Sequence, residues 1–172
     1  MIDLKSFIRD IPDFPKKGII FKDITPLLKN GEAFGHVIKT IAKEYKKANV
    51  DAVLGVEARG FIFGGAVARE LGVGFLPVRK PGKLPYKTKS VTYELEYGAD
   101  TLQIHEDAIS KGDRIIIIDD LLATGGTVAA CCRMVESLGG KVIGISFVIE
   151  LGFLKGRKKL AGYDVLSLIN YE

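Results

Sequence analysis

The run Ile115-Ile116-Ile117-Ile118 constrains the fold of this chain more than any other stretch. Isoleucine branches at Cβ and suits a pleated strand. A strand with one wet face alternates apolar and polar side chains, so four apolar residues in succession call for cover on both faces. DRIIIID is therefore expected to be a buried strand with helices above and below it. DAVLGVEA and VGFLPV read as two further apolar strands, KVIGISFVI as another and YDVLSLI as the last. Between them lie helical segments: GFIFGGAVARELG, closed by Gly72, and GGTVAACCRMVESLGG, ending in glycines. From Glu32 to Ala48, the residues Phe34, Val37, Ile38, Ile41 and Tyr45 share one helical face. Apolar strands joined by helices define an α/β fold with a doubly wound parallel sheet. At 172 residues the chain suits one domain, 1–172.

Three segments depart from that alternation. DLKSFIRDI opens as a short helix with Asp3 as N-cap, and PDFPKKGIIFKDITP, with its three prolines, reads as a surface loop. From Val91 the period becomes two: Val91, Tyr93, Leu95 and Tyr97 alternate with Thr92, Glu94 and Glu96 before GAD turns the chain into TLQIH. That pattern describes a hairpin with one wet face.

Composition excludes several classes. With 47% hydrophobic and 27% charged residues the chain is neither disordered nor fibrous. Its net charge of +4 permits an anionic partner, but no zinc-finger, RNP or helix-turn-helix pattern points to nucleic acid. The basic run RKPGKLPYKTK suits a phosphorylated small molecule instead. Cys131 and Cys132 are adjacent, too close for ordinary disulfide geometry and without a metal-ligand spacing partner, so they read as small apolar helix residues. The longest apolar stretch, VIGISFVIELGFL, falls short of the roughly 20 residues of a membrane span and is interrupted by Glu150. No signal peptide is apparent, and a cytoplasmic location is expected.

In doubly wound sheets, ligands bind beyond the carboxyl ends of the strands, and three such ends look suited to anions. After Ile118 come Asp119 and Asp120, expected beyond the strand rather than in the core, and then Ala123-Thr124-Gly125-Gly126-Thr127 leading into a helix. A glycine-rich loop lets backbone N–H groups approach a phosphate, and the helix N-terminus behind it adds donors and partial positive charge. The loop lacks the Walker A pattern. Carboxylates beside a phosphate cradle would repel the phosphate unless they face another part of the ligand; they accept hydrogen bonds from a sugar diol or hold Mg²⁺ through oxygen ligands. A ribose 5-phosphate satisfies both elements; capping of the next turn is the plainer alternative for the acids. The second end is Gly55-Val56-Glu57-Ala58-Arg59-Gly60-Phe61, where Arg59 either holds an anion or pairs with Glu57. The third is Arg79-Lys80-Pro81-Gly82-Lys83. Three anion-suited loops at one sheet edge suggest a ligand phosphorylated at separate points, such as a ribose with a 5-phosphate and a 1-pyrophosphate. His36 and His105 read as a helix and a strand residue rather than as catalysts.

IIIIDDLLATGGT resembles the phosphoribosyl pyrophosphate (PRPP) motif of the type I phosphoribosyltransferases. The likeness continues through FPKKGIIFKDITPLL, GVEARGFIFGG, VRKPGKLP, YELEYGADTLQIHEDA and LKGRKKL, nearly the whole chain. The first motif marks the superfamily, whereas EARGF, GIIFKD and LEYG resemble the members that act on adenine. The resemblance implies a type I fold with an N-terminal base-binding hood over 1–30 and a flexible catalytic hairpin over 79–106. It places Asp119 and Asp120 by the ribose hydroxyls and Ala123, Thr124, Gly125, Gly126 and Thr127 around the 5-phosphate. It assigns Arg59, Arg79 and Lys83 to the pyrophosphate, and the backbone of Ile20, Phe21 and Lys22, with Leu151, to adenine. Glu96 becomes the general acid or base, with Tyr97 beside it. Mg²⁺ is implied as cofactor, held mainly through PRPP, and a homodimer as the assembly.

Two departures stand out. Lys22 occupies a position where the family often has arginine, and Tyr86, Lys87 and Lys89 make the hairpin bulkier and more basic. The implied reaction is displacement of pyrophosphate from PRPP by adenine N9 with inversion at C1, giving AMP. A mobile loop would exclude water from the oxocarbenium-like transition state. Transfer to hypoxanthine, guanine or xanthine is the alternative within the class, and a non-catalytic PRPP-binding regulator the alternative outside it.

Overall fold

The structure is a computed structural model that describes residues 2–94 and 98–172. After a 3₁₀ turn at Leu4–Phe7, strands β1 (Arg9–Pro12) and β2 (Ile20–Asp23) form an antiparallel ribbon, followed by helices α1 (Thr25–Lys29) and α2 (Gly31–Tyr45). Then come β3 (Ala52–Val56), α3 (Arg59–Leu71) and β4 (Gly74–Val78). The hairpin β5 (Thr88–Glu94) and β6 (Ala99–His105) precedes β7 (Arg114–Leu122), α4 (Gly126–Ser137), β8 (Lys141–Leu151) and β9 (Val165–Tyr171). The central sheet has five strands in the order β4-β3-β7-β8-β9, every neighbouring pair parallel.

The four isoleucines behave as a doubly covered strand demands. All are fully buried, and they alternate between two cores. Ile115 and Ile117 join the core that contains Cys131, Met134 and Val135 of α4, while Ile116 and Ile118 join the one that contains Val37 and Ile41 of α2 with Phe63 and Val67 of α3. Period-two pleating between two helical layers thus explains why neither face tolerates a polar residue. The two cysteines are free and buried in α4, as their apolar reading requires. Asp3 caps the first turn by accepting from Lys5 N–H.

The N-terminal expectations need correction. The helix read over DLKSFIRDI stops at Phe7, and Arg9–Pro12 is a strand. Its partner Ile20–Asp23 comes from the stretch read as loop, because Ile11 registers with Phe21 and Asp10 with Lys22. A ribbon this short carries too few residues to show its period. The acidic pair also lies inside β7 rather than beyond it. The long neighbour β8 keeps the ladder going past the isoleucines, pairing Asp119 with Phe147 and Leu122 with Glu150.

Candidate active site

The carboxyl ends of β7, β3 and β4 bring the three predicted loops to one edge of the sheet. Asp120 is buried and Asp119 is part-exposed. Asp119 Oδ1 accepts from the backbone N–H of Asp120 at 2.9 Å. Burial pushes the Asp119 carboxyl well above the usual carboxylate range, and the negative charge of Asp120 pushes it further. Burial also raises Asp120, but the Arg59 guanidinium opposes that shift.

Arg59, at the first turn of α3, stands 2.9 Å through Nε from Asp120 Oδ2. That contact is an ion pair without hydrogen-bond alignment, and the buried Oδ2 has no hydrogen-bond partner among the described residues. The same guanidinium lies 4.9 Å from the centre of the Phe21 ring and donates through Nη1 to the Lys22 carbonyl at 3.5 Å. Arg59 thereby ties the acidic pair to the β1–β2 ribbon. The Glu57–Arg59 pair weighed from the sequence does not form, because each residue has a better partner. Glu57 accepts from Arg79 Nη2 at 2.8 Å and from Lys80 N–H at 3.3 Å.

Gly60 explains how α3 comes so near the acids. A Cβ at this position would lie 2.8 Å from Asp119 Oδ1 and 3.1 Å from the Ile118 carbonyl oxygen, so only glycine fits.

Beyond the acids, Asp119, Ala123, Thr124, Gly125 and Thr127 line one small cavity of about 70 Å³. Gly125 takes a left-handed conformation at φ 78° and caps α4, directing the loop into the helix N-terminus. The Thr127 hydroxyl lies 3.2 Å from the Tyr93 hydroxyl, a hydrogen bond that joins the phosphate-type loop to the β5–β6 hairpin. This contact was not legible in the chain because its partners are 34 residues apart.

Arg79 and Lys83 form a separate group. Arg79 Nη1 donates to the Lys83 carbonyl at 3.0 Å, and its buried Nε lacks a partner among the described residues. Arg79 also pairs with Gln103 of β6 through two backbone hydrogen bonds, fixing the loop to the hairpin. Ile20 is exposed and Phe21 half-buried, with Phe14 edge-on to Phe21 at 5.2 Å. The Lys22 ammonium turns to Asp10 at 2.7 Å and sits 3.9 Å from the Tyr171 ring centre, leaving its backbone as the part that meets Arg59. Leu151 ends β8, part-buried against the core shared with α2 and α3. Glu96 and Tyr97 lie outside the described residues. His36 lies on α2 and His105 ends β6, where its ring meets Tyr86 edge-on at 5.9 Å.

A parallel sheet with an acidic strand end, a glycine loop and flanking cationic loops is the layout of a site for a phosphorylated sugar, and comparison with known proteins gives the family. The chain belongs to the phosphoribosyl transferase domain family, whose sequence model matches residues 24–169. Several relatives carry one particular name. The adenine phosphoribosyltransferase of Caldanaerobacter subterraneus subsp. tengcongensis is 60% identical over 98% of this chain and 98% of its own length. That of Thermotoga maritima is 58% identical over 99% of this chain and 98% of its own length. Among solved structures, the adenine phosphoribosyltransferase of Thermoanaerobacter pseudethanolicus superposes with a TM-score of 0.95 at 58% identity, covering 98% of each chain. The Saccharomyces cerevisiae enzyme, complexed with an imino-altritol bisphosphate and adenine, gives 0.91 at 42% identity over 96% of each chain.

Proposed function

We propose that the chain transfers the 5-phosphoribosyl group of PRPP to adenine, releasing AMP and pyrophosphate in purine salvage. The observation that carries this reading is the cavity that brings Asp119 together with Ala123, Thr124, Gly125 and Thr127, a carboxylate suited to ribose hydroxyls beside a loop suited to the 5-phosphate. Identity of 58 to 60% over nearly the full length with proteins named for that reaction supports the choice of base.

Each group then has a task. Backbone N–H groups at Gly125, Gly126 and Thr127, with the Thr124 and Thr127 hydroxyls, hold the 5-phosphate at the start of α4. Asp119 and Asp120 accept hydrogen bonds from the ribose hydroxyls and lend negative charge as the ring becomes cationic. Arg79 and Lys83 receive the pyrophosphate, on which charge grows as the C1–O bond breaks. Arg79 Nε, without a hydrogen-bond partner among the described residues, supports that assignment. Arg59, also read for the pyrophosphate, is engaged by Asp120 and the β1–β2 ribbon, so its influence spans ribose and base. Residues 1–30 serve as the hood, where the backbone of Ile20, Phe21 and Lys22 reads the adenine edge and Leu151 packs near its face. Residues 79–106 form the closing hairpin, with Glu96 moving the adenine proton and Tyr97 beside it.

The described residues contain no group of three or more His, Cys, Asp or Glu side chains able to hold a metal. Asp120 Oδ2 is already paired with the Arg59 guanidinium at 2.9 Å, so Mg²⁺ would be held mainly through PRPP rather than by side chains of this chain. Bound Mg²⁺ would neutralise the pyrophosphate as it leaves. No described helix is long and apolar enough to cross a membrane. The same reading carries a cytoplasmic homodimer, which light scattering in solution checks.

The double substitution Asp119→Asn with Asp120→Asn tests the site. Turnover of adenine and PRPP should fall by at least about a hundredfold in a protein with native circular dichroism. Wild-type turnover in that variant would overturn the assignment.

A further inference from the structure

A loop that offers its backbone N–H groups to a phosphate cannot use them to hold itself in shape. Something behind it must fix the conformation. Behind Ala123–Gly126 lies Gly156, buried in the 3₁₀ segment Gly156–Leu160. A Cβ on Gly125 would stand 2.5 Å from the Gly156 carbonyl oxygen, and a Cβ on Gly156 would fall on the Ala123 carbonyl oxygen and 3.0 Å from Leu122 Cδ1. Two backbones are thus in direct contact, with no side chain between them.

Gly156 is itself held in place. It follows Lys155, which takes a left-handed conformation at φ 55°, and precedes Arg157, whose guanidinium is anchored on three sides. Arg157 Nε donates to both oxygens of Glu150, at 2.8 and 2.9 Å. Nη1 donates to the Val165 carbonyl at 2.9 Å and Nη2 to the Ser167 hydroxyl at 3.3 Å. Glu150 is 6% exposed and sits in β8, opposite Leu122 of β7 and Asn170 of β9. Burial works to raise its carboxyl, yet the hydrogen bonds from Arg157 and Ser167 hold it below the usual range, so it stays a charged anchor. The guanidinium fork therefore transmits the position of two sheet strands, β8 and β9, to one glycine.

We propose that Gly156, pinned by the Arg157–Glu150 pair, is a positioning element that moulds the Ala123–Thr127 loop into its phosphate-binding shape. Arg157 and Glu150 act through Gly156 and touch no substrate. The inference rests on the phosphate role of that loop but not on the identity of the base. It differs from a general stabilising role in what it predicts. A fold defect lowers the amount of active protein and hence kcat, whereas a displaced loop weakens the phosphate-bearing ligand selectively.

The test compares Gly156→Ala, Arg157→Lys and Glu150→Gln with the wild type, by steady-state kinetics and by calorimetric titration with ribose 5-phosphate. Each variant should raise KM for PRPP and weaken ribose 5-phosphate by about tenfold to a hundredfold, the effect of a misplaced binding group, while KM for adenine moves less than about twofold. If Gly156→Ala fails to fold, the other two substitutions carry the comparison, since neither adds bulk against the loop. Unchanged KM for PRPP and unchanged ribose 5-phosphate affinity would overturn the proposal, as would equal losses for adenine and PRPP. A wild type that binds ribose 5-phosphate but does not convert adenine would instead count against the proposed reaction and leave this inference standing.

Discussion

Asp119 combines a functional demand with an unfavourable setting. Burial and the charge of Asp120 raise its carboxyl above the ordinary 3.8, so between the ordinary value and the raised one the folded chain holds a proton that the unfolded chain has released. Where the native state binds more protons, stability falls as pH rises, and the loss extends from about the ordinary value up through the raised one. Asp119→Asn removes that titration while keeping the amide oxygen that accepts from Asp120 N–H. Without ligand, its thermal midpoint should exceed that of the wild type at pH 7 to 8, and the two should converge on acidification towards pH 4. A midpoint below the wild type at neutral pH would show that the carboxylate stabilises the fold. Arg59 carries a second residue-scale prediction. Because it joins Asp120 to Phe21 and Lys22, Arg59→Ala should raise KM for PRPP and for adenine alike, by about tenfold or more as expected for lost charge-assisted bonds. An increase confined to PRPP would restore Arg59 to the pyrophosphate alone.

At the scale of elements, the chain was most readable where one physical rule acts over many consecutive residues. The isoleucine run, the helical face ending at Tyr45 and the alternation from Val91 to Tyr93 all reappear as β7, α2 and β5. The β1–β2 ribbon was not readable, since four residues on each side show no period. Nor was the position of the acids inside β7, which depends on how far β8 extends beside them. Within the site, the residue types announced their chemistry but not their partners. Glu57 and Arg59 lie two apart in the chain, yet one binds Arg79 and the other Asp120. Glu150 looked like an interruption of an apolar run until Arg157 was seen on it. Similar long-range pairing joins α2 to β8, where the Tyr45 hydroxyl meets the fully buried Ser146 hydroxyl at 2.9 Å. Tyr45→Phe leaves Ser146 unsatisfied and should lower unfolding stability by about 1 to 3 kcal/mol, measured by urea denaturation. A loss below a few tenths of a kcal/mol would show that the serine finds another partner.

For the molecule as a whole, the parallel sheet sets the division of labour. Its two cores fix the strands, and its carboxyl edge presents a glycine-rich loop, an acidic pair and two arginines. In the proposed reading, the ribose end of the site comes from the β7–α4 unit. That reading gives the choice of base to the β1–β2 ribbon and the end of β8, where an enzyme for another purine would be expected to differ. Incubation with PRPP, Mg²⁺ and equimolar adenine, hypoxanthine, guanine and xanthine, with nucleotide products resolved by chromatography, tests the central claim most directly. AMP should dominate, with kcat/KM for adenine exceeding that for the other bases by at least about a hundredfold, as expected of a site that hydrogen-bonds the base edge. AMP formed no faster than IMP, GMP or XMP would contradict the account.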